Sequence, residues 1–270
     1  MKMLKNLAIA TVAAGTMLAA ASPAQAVITT FASFSPIGST ANVRWTNSNG
    51  SVATGTGGKM TSIASATSTV LASRNVQFSF LGNSLSPFFT NATAAFTLNA
   101  IVPTGNPATL AAGFLIQEAV AGSFSFTTTS AVTIGSTTFA AGSNLLSATF
   151  GNTAIAGQRN GNTASFAGST AAGDTLVYTS DFLSFTNVND SAFAISLDSL
   201  FPGLQAVPTN GTPTRALRNF TAVASGTFST DPAPIVTAIP EPAVWGLMIV
   251  GFGMVGIQTR RRSRTVTVVA

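Results

Sequence analysis

No cysteine and no histidine occur in the 270 residues, and only 7% of the residues are charged. Each absence removes a class of chemistry. Without cysteine there is no disulfide frame, no thiol nucleophile and no thiolate metal site. Without histidine there is no Ser-His-Asp triad and no imidazole-ligated zinc. Tyrosine occurs once and tryptophan twice, so aromatic platforms are scarce, whereas phenylalanine occurs 20 times. The few charges are also unevenly placed. Lys2, Lys5, Arg260, Arg261, Arg262 and Arg264, offset by Glu241, account for the whole formal net charge of +5. The chain between Val27 and Ile239 balances basic against acidic residues. A neutral body lacks the electrostatic footprint that nucleic acid requires.

The first residues carry Lys2 and Lys5, followed by an uncharged, mostly apolar run, Leu7–Ala20, and then Ala24-Gln25-Ala26. A positive start, a short apolar core and an A-x-A site are the parts of a secretory signal. The run is shorter than the roughly 20 residues of a membrane span. Signal peptidase is expected to read Ala24 and Ala26 and to cut after Ala26.

The other end is built in three parts. A proline-containing linker is expected over Asp231–Ile239. Pro240, Glu241 and Pro242 follow, with Trp245 close behind. An apolar stretch, Val244–Ile257, leads to Arg260, Arg261, Arg262 and Arg264, and Thr265–Ala270 closes the chain. Two prolines flanking Glu241 fix φ and disfavour helix before the apolar stretch. Trp245 stands where an interfacial aromatic belongs, and the arginine cluster stays cytoplasmic by the positive-inside rule, leaving the body outside. Within the stretch, Gly251 to Gly256 fits G-x-G-x-x-G. A dinucleotide site needs a preceding strand and a later acidic residue, and neither is available there. The glycines suit close helix approach instead.

The order PEPAVWG, apolar helix, RRRSR resembles the PEP-CTERM sorting domain of exported Gram-negative proteins, in its PEPxxWA variant. Pro240, Glu241, Pro242 and Trp245 match that variant, and Gly246 stands where alanine is usual. The resemblance covers roughly the last thirty residues. It implies recognition by an exosortase, a membrane-embedded transpeptidase-like enzyme that removes the tail near the PEP motif. It further implies transient membrane residence through the C-terminal helix and association with exopolysaccharide or biofilm at the cell surface or in the matrix.

Between the two ends, the body (residues 27–230) reads as sheet. Val76, Phe78 and Phe80 alternate with polar residues, as do Phe96, Leu98 and Ala100, Phe124 and Phe126, and Phe193, Ile195 and Leu197. Phe220, Ala222, Ala224 and Phe228 share one phase. This is the half-buried strand pattern. Asn49-Gly50, Asn160-Gly161 and Asn210-Gly211 are turn dipeptides. The expected fold class is all-β: an antiparallel jelly-roll-like sandwich, flanked by an N-terminal signal helix and a C-terminal transmembrane helix. Leu110–Ala121 is the best helical candidate of the body, weakened by Gly113. Thr46–Thr69 and Gly151–Gly173, rich in Ser, Thr and Gly, are expected as long surface loops.

Catalysis has few candidates. The chain between Val27 and Ile239 holds Glu118, Asp174, Asp181, Asp190, Asp198 and Asp231 as its only acids. A hydrolase would draw on Asp174 and Asp181, yet the first sits in a turn and the second ends a strand-like run. The expectation is a non-catalytic protein with no cofactor. Asn187, Asn189 and Asp190, with Asp181, offer hard oxygens for a structural calcium but lack an EF-hand spacing. Trp45, flanked by Arg44 and Asn47, is the candidate contact for a glycan, as in a secreted carbohydrate-binding module; its alternative role is core packing.

Overall fold

Strand-forming residues alternate inward and outward along nearly the whole described chain, which comprises residues 28–47, 57–208 and 215–237 of a computed structural model. The strands are β1 (Thr29–Pro36), β2 (Val43–Asn47), β3 (Gly58–Ser62), β4 (Arg74–Phe80), β5 (Ala92–Val102) and β6 (Thr109–Ala111). There follow β7 (Phe114–Thr128), β8 (Val132–Ile134), β9 (Thr137–Phe139), β10 (Asn144–Gln158), β11 (Ala164–Ser169) and β12 (Thr175–Thr179). The last are β13 (Leu183–Ser184), β14 (Asp190–Phe201), β15 (Ala206–Pro208), β16 (Arg215–Leu217), β17 (Phe220–Asp231) and β18 (Ile235–Val236). A single 3-10 turn, Thr170–Ala172, is the only helical element among the described residues. None of them forms a helix able to cross a membrane.

The fold is all-β, and the sheet closes on itself. Antiparallel pairings run β1–β4–β5–β7–β10–β11–β14–β17 and return to β1 through β1–β17. Two long strands are shared lengthwise. β17 pairs with β2 over Phe220–Ala222 and with β1 over Gly226–Thr230. β5 pairs with β4 over Ala92–Phe96 and with β3 over Gly58↔Val102 to Thr61↔Asn99. Two strand pairs, β1/β4 and β2/β3, therefore fill one sector end to end.

The body is one large antiparallel sheet, and its connectivity differs from the expected jelly roll. Each strand of the ring lies beside its neighbours in chain order, so this is a meander, whereas a jelly roll needs long Greek-key crossings. The cause is local. Strands that follow one another in the chain tend to lie side by side, and bulges supply the bending that closure demands. Register shifts occur in β10 between Phe150 and Thr153 and in β14 between Asp198 and Phe201, where Asn152 and Ser199 adopt φ of 61° and 53°.

An eight-stranded ring has an interior that side chains just fill, and here phenylalanines fill it. Phe126 lies within 5.9 Å, ring centre to ring centre, of Phe34, Phe78, Phe96, Phe124 and Phe228. Small inward residues make room for the rings. A Cβ on Gly226 would come within 2.9 Å of Phe34 Cε1, so that ring lies directly over the glycine.

Of the two expected loops one is largely sheet and the other holds a short strand, with residues 48–56 outside the described residues. Gly151–Gly173 contains the end of β10 and all of β11, and Thr46–Thr69 contains β3. Leu110–Ala121 is no helix: it forms β6, a turn at Ala112 and Gly113 with positive φ, and the start of β7. The Asn160 turn is present, with φ 62°. The expected linker starts late, because Asp231 ends β17 and Ile235–Val236 is paired to Leu183–Ser184. The signal segment with Ala24 and Ala26, the Asn49-Gly50 and Asn210-Gly211 turns, Pro240, Glu241, Pro242, Trp245, the apolar stretch and Arg260, Arg261, Arg262 and Arg264 lie outside the described residues.

Candidate functional site

The ring is incomplete beside β12. Along β10, Ala154–Ala156 pair with β11, which continues to β14, whereas Ser147–Gly151 pair with β12. Among the described residues β12 pairs with no second strand. The space beyond its edge is a groove of about 480 Å³ whose lining includes Leu176, Tyr178, Leu183, Phe185, Val188 and Ser191. Its lining carries no ionisable group other than Tyr178.

Tyr178 is the titratable group of this groove. Its ring packs edge-on to Phe31 and beside Phe185, both at 5.5 Å. Its hydroxyl donates to the Ala192 carbonyl at 2.6 Å, tying β12 to β14 across the slot. Burial holds the phenol well above its ordinary pKa of 10.0, because a phenolate would lose its hydration here.

The chain leaves the described body at the same place. β18 pairs with β13, Leu183↔Val236 and Ser184↔Ile235, and the Thr237 N–H donates to the Phe182 carbonyl at 3.0 Å. Val236 packs against the core, while Ile235 is exposed. The first described residue, Ile28, stands beside this end as well, since Thr29 pairs with Thr230.

Trp45 is not an exposed platform. It is fully buried at 0% exposure, stacked on Phe220 with ring centres 6.3 Å apart. It shares the inward phase of β2 with Val43 and Asn47, so a sugar ring has no access to its face. Its indole N–H is buried without a hydrogen-bond partner. The polar neighbour Asn47 also points inward: its side-chain amide donates to the Leu217 carbonyl at 3.1 Å. The exposed aromatic of this region is Phe201, which sequence reading missed. At 78% exposure it borders a groove of about 440 Å³ with Arg44, Thr67, Pro202 and Asn219. Its signal was faint: the β14 bulge at Ser199 flips the phase, sending Leu200 inward and Phe201 out.

Two of the carboxylates serve backbone donors. Asp174 Oδ2 accepts from the Ser169 N–H at 2.8 Å, and Asp181 Oδ2 from the Asn144 N–H at 2.7 Å. They flank opposite ends of β12, about 20 Å apart by strand rise, far beyond the carboxylate separations of glycoside hydrolysis. Asp190 Oδ1 accepts from Thr170 Oγ1 at 3.2 Å, and the Asn189 N–H donates to the Asp231 carbonyl. Among the described residues no three acidic side chains gather as a metal site.

No protein-family model, no curated protein and no solved structure matches this chain.

Proposed function

We propose that this chain is an exported, non-catalytic surface or extracellular-matrix protein whose C-terminus is processed by an exosortase at Pro240-Glu241-Pro242. The observation that carries the reading is the fixed order at the C-terminus: the PEP triplet, Trp245, an uncharged apolar stretch and the cluster Arg260, Arg261, Arg262 and Arg264. On this reading signal peptidase removes residues 1–26, the apolar stretch holds the precursor in the inner membrane, and the released body joins an exopolysaccharide or biofilm matrix of a Gram-negative bacterium. The near-absence of charge and the hydroxyl-rich outer positions of the sheet, Thr97, Ser123, Ser125, Ser147 and Thr149 among them, suit a neutral, hydrated surrounding.

The test is the intact mass of the protein from surface and medium fractions of its host. The expected species begins at Val27 and ends near Ile239–Pro242, with or without an added group. A species that still carries Ala270 overturns the reading and leaves a plain membrane-anchored protein.

A second reading, a carbohydrate-binding module, draws its support from the exposed Phe201. Arg44 lines the same groove, with its Nε–H buried and unpartnered. Loss of polysaccharide retention in Phe201→Ala is the result this reading requires.

A further inference from the structure

The β13/β18 ladder fixes how far the sorting motif stands from the folded body. Thr237 is held by its bond to the Phe182 carbonyl, and only Ala238 and Ile239 separate it from Pro240. Three extended steps of chain reach about 10 Å at most. An enzyme cleft that grips an extended peptide engages residues on both sides of the bond it cuts. With Thr237 pinned, the chain upstream of Pro240 is held on β13 from Ile235 to Thr237.

We propose that β18 is a release latch: its ladder with β13 opens before the PEP motif can enter the processing enzyme, and this opening sets the rate of processing. The proposal rests on the sorting reading above. Three features of the ladder suit a latch. It has only two residue pairs and belongs to a sheet of its own, separate from the main one. One of its side chains, Val236, packs on the core while its neighbour Ile235 is exposed. The next strand residue upstream is Asp231, at the end of the long β17, so opening uncovers Val236 and the buried Pro234, frees residues 232–237 and leaves the ring intact. Small, edge-placed, partly exposed ladders of this kind open locally at far lower cost than a core strand. Cutting of a transiently opened segment follows the population of the open form when reclosing is fast.

The absence of cysteine makes a clean test available. Ser184 and Ile235 are ladder partners with outward side chains, and the Cα separation across an antiparallel pair lies within the range a disulfide spans. Full-length Ser184→Cys/Ile235→Cys protein is compared, oxidised and reduced, with wild type in the host. The oxidised form is expected to be processed roughly tenfold more slowly, and reduction to restore the rate. Val236→Ser, which weakens the inward anchor, is expected to speed processing. In parallel, a proline-specific endopeptidase acting on detergent-solubilised full-length protein reads access to the Pro240 region without the host enzyme. Unchanged rates in the locked form overturn the latch. Wild type that escapes processing in the host but shows lock-sensitive endopeptidase cutting overturns the sorting reading, and with it the latch's assigned role in processing.

Discussion

The Tyr178 hydroxyl donates to the Ala192 carbonyl at 2.6 Å across a slot where β12 is not continued by a backbone ladder. A side chain thus stands in for a strand pairing. β11 completes the sheet between β10 and β14 at one level, and at the next level β12 is joined to β14 through this phenol. The opening beside it remains wide enough to form the groove that Leu176, Leu183 and Phe185 line.

Tyr178→Phe keeps the ring packed against Phe31 and Phe185 and removes only the hydroxyl, so a loss of about 1 kcal/mol is expected. The alkaline behaviour reports the burial of this phenol. Burial raises the folded-state pKa, while the unfolded chain ionises near 10.0. Above that pH the unfolded state releases a proton that the folded state retains, so the unfolded state gains. The stabilisation is therefore complete below about pH 10 and declines above it, by up to about 1.4 kcal/mol per pH unit. Denaturant unfolding across this range should show the decline in wild type and lose this contribution in Tyr178→Phe. The chain has one tyrosine, so phenolate absorbance reports this site alone.

Phe126 touches five other phenylalanine rings, and four of them, Phe34, Phe78, Phe96 and Phe228, stand on other strands. Phe126→Ala is expected to cost about 3–5 kcal/mol, through lost transfer energy and the cavity left among rings that cannot all collapse. Phe88→Ala, at an exposed position, should change stability by no more than about 0.5 kcal/mol. Urea unfolding of the two variants checks the contrast.

The phenylalanine strands were legible because bulky inward residues alternate with small polar outward ones. Val76, Phe78, Phe80, Phe193, Ile195 and Leu197 are all buried on the expected phase. β11 was hidden for the opposite reason. Its inward residues are Ala164, Phe166 and Gly168, and its outward ones Ser165, Ala167 and Ser169, so only Phe166 marks a phase. Gly168 must be small: a Cβ there would lie 2.4 Å from Thr153 Cγ2 and 2.8 Å from the Phe193 ring. The requirement comes from residues distant in sequence, which composition does not reveal. Of the two roles open to Trp45, its polar neighbours suggested the surface one, and the core one is observed. Asn47 is itself buried, satisfied by Leu217 and Asn219 across the sheet. The β13/β18 ladder was invisible because Ile235 and Val236 sit between prolines and find their partners some fifty residues upstream.

Glycines of the sheet divide by what surrounds them. A Cβ on Gly122 would meet the Asn99 carbonyl oxygen at 2.2 Å and Ala100 Cα at 2.7 Å, both backbone atoms of the paired strand β5. Gly122→Ala must spread β5 from β7 and is expected to cost about 2–3 kcal/mol or more. Gly135, in the β8–β9 turn, has φ +61° and no heavy atom within 4 Å of such a Cβ, so Gly135→Ala pays only the left-handed backbone penalty, about 1–2 kcal/mol. Thermal unfolding of both variants ranks them, and an equal loss would refute the steric account of β5–β7 contact.

The two glycan candidates separate by variant. Trp45 is enclosed, and Gly58 is shaped around it: a Cβ on Gly58 would lie 2.2 Å from Trp45 Cζ2. Trp45→Ala should therefore destabilise by about 3–5 kcal/mol, and any lost retention on polysaccharide would follow from unfolding. Trp45→Phe keeps most of the packing and, with no indole N–H to leave unpaired, should fold well and retain polysaccharide as wild type does. Phe201→Ala removes an exposed ring and should leave stability within about 0.5 kcal/mol of wild type. If the body holds sugars through an aromatic, retention falls in Phe201→Ala and persists in Trp45→Phe. The reverse pattern would mean that Trp45 is uncovered in the working protein, and the buried position described here would have to open for binding.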